Sequence, residues 1–155
     1  MNFYIPRINK QFGIFCLLLL LVCIIAYRKK RTYISIAAYV FIVMVITLFS
    51  RTYGQYRVIL EPFWSYKVFF EKGFSWLAWQ IIYNIVMMIP LGFLLSCGMK
   101  KRFSLLCGIS ISIIIELLQF FWHKGTAEFD DVFSNSLGVL IGIGIYTMVH
   151  YIREK

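Results

Sequence analysis

Residues 103–122 read FSLLCGISISIIIELLQFFW, a run of 20 residues with a single charge, Glu116. At 1.5 Å per helical residue this run spans about 30 Å, the thickness of a bilayer's hydrocarbon core. It lacks the period-two alternation of a membrane barrel strand, so it is read as a helix. Its few polar and small residues fall on one face: Gly108, Ser112, Glu116 and Gln119, with His123 continuing the same spacing. A charge near the middle of a bilayer costs roughly 2.5–3.5 kcal/mol, so Glu116 needs polar company from other helices. The stretch thus predicts one member of a membrane bundle with a polar side turned inward.

Four further apolar runs occupy residues 12–27, 33–49, 76–98 and 132–151. With 61% hydrophobic and 15% charged residues, the 155-residue chain is far more apolar than a soluble domain. A free globule of this size could not cover so much apolar surface, and disorder requires the opposite composition. The expected architecture is all-α: an integral membrane bundle of five transmembrane helices forming one domain over residues 1–155. The first run is followed by Arg28, Lys29, Lys30 and Arg31 with no small-residue cleavage site, which reads as a retained anchor. The net charge of +9 comes from cations flanking apolar runs, not from a stripe on a polar domain, so nucleic acid is not an expected partner. Cys16, Cys23, Cys97 and Cys107 all lie within apolar runs and read as small buried residues.

Five spans place residues 28–31, 100–102 and 153–155 on one side, with nine of the 16 lysines and arginines in short segments. The positive-inside rule makes that side cytoplasmic, with the N-terminus outside and the C-terminus inside a multi-pass cell-membrane protein. Trp64, Trp76, Trp79 and Trp122 then gather near the outer interface as an aromatic belt. Residues 50–75 are too rich in aromatics for a solvated loop, and Pro62 breaks them before a full span. They are expected to form an interfacial or re-entrant segment between the second and third spans.

Polar residues recur in the neighbouring spans. Residues 132–151 and their lead-in carry Asp131, Asn135, Gly138 and Gly142 on one face, and residues 76–98 carry Asn84, Met88, Gly92 and Ser96. Helical rise puts Glu116 about 10 Å, Gln119 and Asn135 about 6 Å, and Asn84 about 12 Å below the outer helix ends. Groups from three helices thus share one depth, which points to a single outward-facing polar cavity. Gly92, Gly138 and Gly142 read as helix-packing positions and Pro90 as a kink. His123, Glu116, Asp130 and Asp131 lack a diagnostic ligand spacing, so neither metal nor cofactor is expected.

Four stretches carry a resemblance to VanZ-like membrane proteins: Leu60-Glu61-Pro62-Phe63; Asn84 through Pro90-Leu91-Gly92; Ile115-Glu116-Leu117-Leu118-Gln119; and Asp130-Asp131 through Asn135, Gly138 and Gly142. They follow the family's order over residues 51–142. Relatives often carry an arginine shortly before the paired acids, where this chain has Lys124-Gly125-Thr126-Ala127-Glu128. If that arginine pairs with the acids, its role falls here to Lys124 or to residues 50–75. The resemblance implies a cell-envelope protein of a family associated with teicoplanin tolerance, and supplies no reaction.

The expected ligand is a membrane lipid or lipid-linked cell-wall precursor headgroup, met by Asn84, Glu116, Gln119, Asp130, Asp131 and Asn135. Two other classes stay open. One is an intramembrane enzyme with Glu116 and Asp131 as acid or base, although no nucleophile stands at a recognisable spacing. The other is a small proton-coupled lipid transporter, for which five helices without an inverted repeat are few.

Overall fold

The computed structural model describes residues 32–49, 57–73 and 76–155. Among these residues five helices and one minimal strand pair follow in chain order: α1 (Thr32–Phe49), β1 (Val58–Ile59), α2 (Trp64–Lys72), α3 (Trp76–Gly98), α4 (Lys101–Phe121), β2 (Ala127–Glu128) and α5 (Phe129–Arg153). Among the described residues α3, α4 and α5 are long and apolar enough to cross a membrane, while α1 is a shorter apolar helix. The expected span at residues 12–27 lies outside the described residues.

Short turns make α3, α4 and α5 run up, down and up again. The start of α3, the end of α4 and the start of α5 therefore share one end of the bundle, called here the site end. The core is apolar and interlocked: Met88, Leu91, Leu94 and Leu95 of α3 pack with Ile115 of α4 and Val139 and Ile143 of α5. Tyr39 and Val43 bring α1 onto the same core. The buried Tyr39 hydroxyl donates to the Met87 carbonyl at 2.5 Å, in the turn preceding Pro90. A proline removes one helical N–H and disturbs the carbonyls of the turn before it, so a hydroxyl from α1 belongs there.

Contact between α3 and α5 is closest because glycines let the backbones meet. A Cβ on Gly138 would collide with the Ile85 carbonyl, one on Gly142 with the Ile89 carbonyl, and one on Gly92 with the Val139 carbonyl. A Cβ on Gly108 would come within 2.6 Å of the Val139 side chain, which sets the α4–α5 distance. Gly144, only two residues beyond Gly142, has nothing within 4 Å of its Cβ position.

Residues 57–73, between α1 and α3, fold back onto the bundle. Val58 and Ile59 pair in parallel with Ala127 and Glu128, and α2 then packs on α3 and α5. These two-residue strands are the only strand pairing among the described residues, and periodicity cannot reveal so short a pairing.

The glycine contacts give a paired expectation. Gly142→Ala forces backbone apart and lowers stability by about 1–3 kcal/mol, the usual cost of overpacking. Gly144→Ala, in open space, gains up to about 1 kcal/mol of helix propensity. Unfolding of the purified protein in mixed micelles reads both.

Candidate functional site

The site end is assembled around the first two turns of α5. Asp130 and Asp131 both lie in its first turn, where the helix dipole favours negative charge. Neighbouring helical residues point about 100° apart, so the two acids serve different neighbours. Both are buried, at 1% and 3% exposure.

Asp130 turns to α2. Its Oδ1 accepts the Phe63 N–H at 2.6 Å, and its Oδ2 accepts the Ser65 N–H at 2.8 Å and the Ser65 hydroxyl at 2.5 Å. The N-cap of α2 is Phe63, which has no side-chain acceptor, so the helix takes its cap from a residue 67 positions away. Phe63 is held at φ 61°, a left-handed conformation costly for a bulky residue. Its ring is fixed edge-on against Tyr66, Phe129 and Phe133 at centroid distances of 5.0–6.1 Å. One turn along α5, the Ser134 hydroxyl donates to the Asp130 carbonyl and lies 2.7 Å from the Tyr66 hydroxyl. Tyr66, on α2 and outside the three long helices, has its pKa raised by burial; the Ser134 bond opposes this, and the charges of Asp130 and Asp131 add to it.

Asp131 turns to α3. It accepts the Asn84 amide at 2.7 Å and the Gln80 amide at 3.0 and 3.1 Å. Gln80 stands four residues before Asn84, so one face of α3 presents both donors. The sequence reading missed Gln80 because a lone glutamine near an expected helix end is unremarkable, though its spacing from Asn84 was the available signal.

The fourth helix closes the arrangement. Ser104, Gly108, Ser112, Glu116 and Gln119 are all buried on its inner face. Ser112 accepts the Asn135 amide at 2.9 Å, and Glu116 Oε2 accepts the Glu128 N–H at 3.2 Å where α5 begins. Gln119 is 1% exposed and Asn135 2% exposed, and the side-chain oxygens Oε1 and Oδ1 have no hydrogen-bond partner.

His123 leaves the stripe that the spacing gave it. The Lys124 N–H donates to the Gln119 carbonyl at 2.8 Å and the His123 N–H to the Phe120 carbonyl at 3.1 Å. This is a Schellman ending with His123 in the left-handed position at φ 54°, and its side chain is exposed. The helix has stopped, so helical spacing no longer applies. Asp130, expected among ligand-facing residues, is engaged on α2, and Asn84 and Asp131 are engaged with one another. The donors that meet Asp130 come from Phe63 and Ser65, within residues 50–75, which with Lys124 were the two places expected to take over from the missing arginine. Gly92, Gly138 and Gly142 sit in the α3–α5 seam below the acids, and Pro90 lies within α3.

Among the described residues, fold and site define a small bundle with three helices long and apolar enough to cross a membrane and a cluster of buried acids and amides toward one end. The VanZ/LLP1 family matches residues 12–150, and the chain belongs to that family. No curated protein and no solved structure matches it significantly.

If Asp130 caps α2, Asp130→Ala strips three donors of their acceptor and costs about 2–3 kcal/mol locally. Limited proteolysis should then cut within residues 62–73 while α3–α5 stay intact; unchanged protection of that segment contradicts the assignment.

Proposed function

We propose that this chain is a cell-envelope membrane protein that recognises the polar headgroup of a lipid or lipid-linked cell-wall precursor at the site end of the bundle. The supporting observation is convergence: carboxylates and amides from α3, α4 and α5 meet at one level, and two buried amide oxygens there remain unpartnered. A purely structural network would be expected to satisfy its own members, since a half-satisfied buried network is worse than an apolar one.

In this reading the site end faces outward. The opposite end holds Lys100, Lys101 and Arg102 between α3 and α4, and Arg153 at the close of α5, the positive side that stays in the cytoplasm. Headgroups of the outer leaflet and of exported precursors then reach the polar cluster directly. Glu116 is the charged centre, and α2, pinned by Asp130, forms part of the rim. The resemblance to VanZ-like proteins, some of which are associated with tolerance to teicoplanin-type lipoglycopeptides, supports extending this reading to a contribution to such tolerance.

The test is the lipid and precursor content of the purified protein. Wild type should carry one headgroup class in excess over the surrounding membrane, and Glu116→Gln should lose that excess while accumulating normally. A susceptible host expressing wild type should gain teicoplanin tolerance that Glu116→Gln does not give. Identical lipid content and identical tolerance for the two proteins would overturn the reading.

A further inference from the structure

Charge is divided unevenly between the two ends of the bundle. Of the acidic side chains in the whole sequence, Glu61, Glu71, Glu116, Glu128, Asp130 and Asp131 lie toward the site end. Glu154 alone belongs to the opposite end, where it stands 3.6 Å from His150. Among the described residues that end carries Lys100, Lys101, Arg102, Arg153 and Lys155, all exposed. Gly138 meets Ile85 and Gly142 meets Ile89, and this register, continued along both helices, brings Arg153 within about a turn of Lys100. Cations from the α3–α4 turn and from the close of α5 therefore share one level. Glu116, the nearest acid along α4, is about 21 Å of helix away from Arg102. Apart from Glu154, no acidic side chain of this chain is within reach of the group.

These cations lie along apolar surface. The Arg102 guanidinium sits 4.9 Å from the centroid of the Phe103 ring, and the Lys155 ammonium 4.8 Å from that of Tyr151. Both rings are exposed, so the long side chains rest on the flanks of their helices, as snorkelling side chains do. Beyond Arg102 the exposed flank of α4 runs on through Phe103, Leu106, Ile113 and Leu117 at helical spacing. Beside Arg153 a cleft opens between Tyr146, Val149 and His150. A free phosphate would meet the cations and leave the apolar flank bare. An acidic protein segment would bring charge and no acyl chain. A phospholipid of net negative charge presents its phosphate above apolar chains, the same order in which this end sets cations above apolar side chains. From this match we infer that the end opposite the site binds anionic phospholipid of the adjoining leaflet. Lys100, Lys101, Arg102 and Arg153 meet the headgroup, and the α4 flank takes an acyl chain. In the orientation proposed above that leaflet is the cytoplasmic one, and the inference stands apart from headgroup recognition at the site end.

A lipid competition tests it. The full-length protein is reconstituted in vesicles of equal phosphatidylglycerol and phosphatidylcholine, extracted mildly, and its retained lipids are counted by native mass spectrometry. Wild type should hold phosphatidylglycerol over phosphatidylcholine by about tenfold or more, since each lysine or arginine near an anionic leaflet is worth about fivefold. Replacing Lys100, Lys101 and Arg102 together by Gln should abolish that preference. The exchange Lys101→Arg with Arg102→Lys keeps the charge and should keep the preference. Raising salt to about 1 M before extraction should weaken the preference of wild type, an arm that needs no variant to fold. Millimolar inorganic phosphate should not displace the lipid, because it has no chain to lay on the α4 flank. Equal retention of the two lipids by wild type, an unchanged preference in the triple variant, or displacement by inorganic phosphate would each overturn the inference.

Discussion

Backbone contact between α3 and α5 is the constraint on which the rest of the structure depends. Lipid tails are as apolar as leucine, so membrane helices gain little by hiding apolar side chains from them and must associate by close packing and polar bonds. Gly92, Gly138 and Gly142 provide the first of these by leaving no Cβ between the two chains. Only at that separation do short side chains such as Asn84 and Asp131 reach each other at 2.7 Å. The glycines are structural in themselves, yet they set the distance at which every polar bond above them is made.

The acid pair then organises the site end. Asp130 and Asp131 begin one helix but bond to two others, so α2 and α3 are both referenced to the start of α5. Glu116 adds α4 by accepting the N–H at the α5 N-cap. These bonds to carboxylates are buried or partly buried, a setting in which satisfied networks stiffen and unsatisfied members are costly. The two aspartates are thereby satisfied within the fold, whereas the Gln119 and Asn135 side-chain oxygens lie buried without a hydrogen-bond partner.

Much of this was legible in the sequence because a bilayer enforces it. Polar residues at helical spacing in apolar runs identified the inner faces, and Ser112, Glu116, Gln119, Asp131 and Asn135 are all buried as that spacing required. The glycine face of α5 followed from the same period. What the sequence did not disclose depends on long-range meetings. The cap of α2 by Asp130 joins residues 67 apart through a phenylalanine whose left-handed backbone no propensity would suggest. Pairing of Val58 and Ile59 with Ala127 and Glu128 is too short to leave a pattern. His123 obeyed the spacing yet lies beyond the helix end, because the Schellman ending was set by backbone bonds and not by a glycine signal at that position.

The central claim is that side chains from separate helices form one coupled polar cluster. A double-mutant cycle on Asn84→Ala and Asp131→Ala, read by unfolding in lipid-like micelles, tests it most directly. The account predicts a coupling energy of about 1–2 kcal/mol, as expected for a partly buried interhelical bond to a carboxylate. Additive effects, with coupling below about 0.3 kcal/mol, would contradict it.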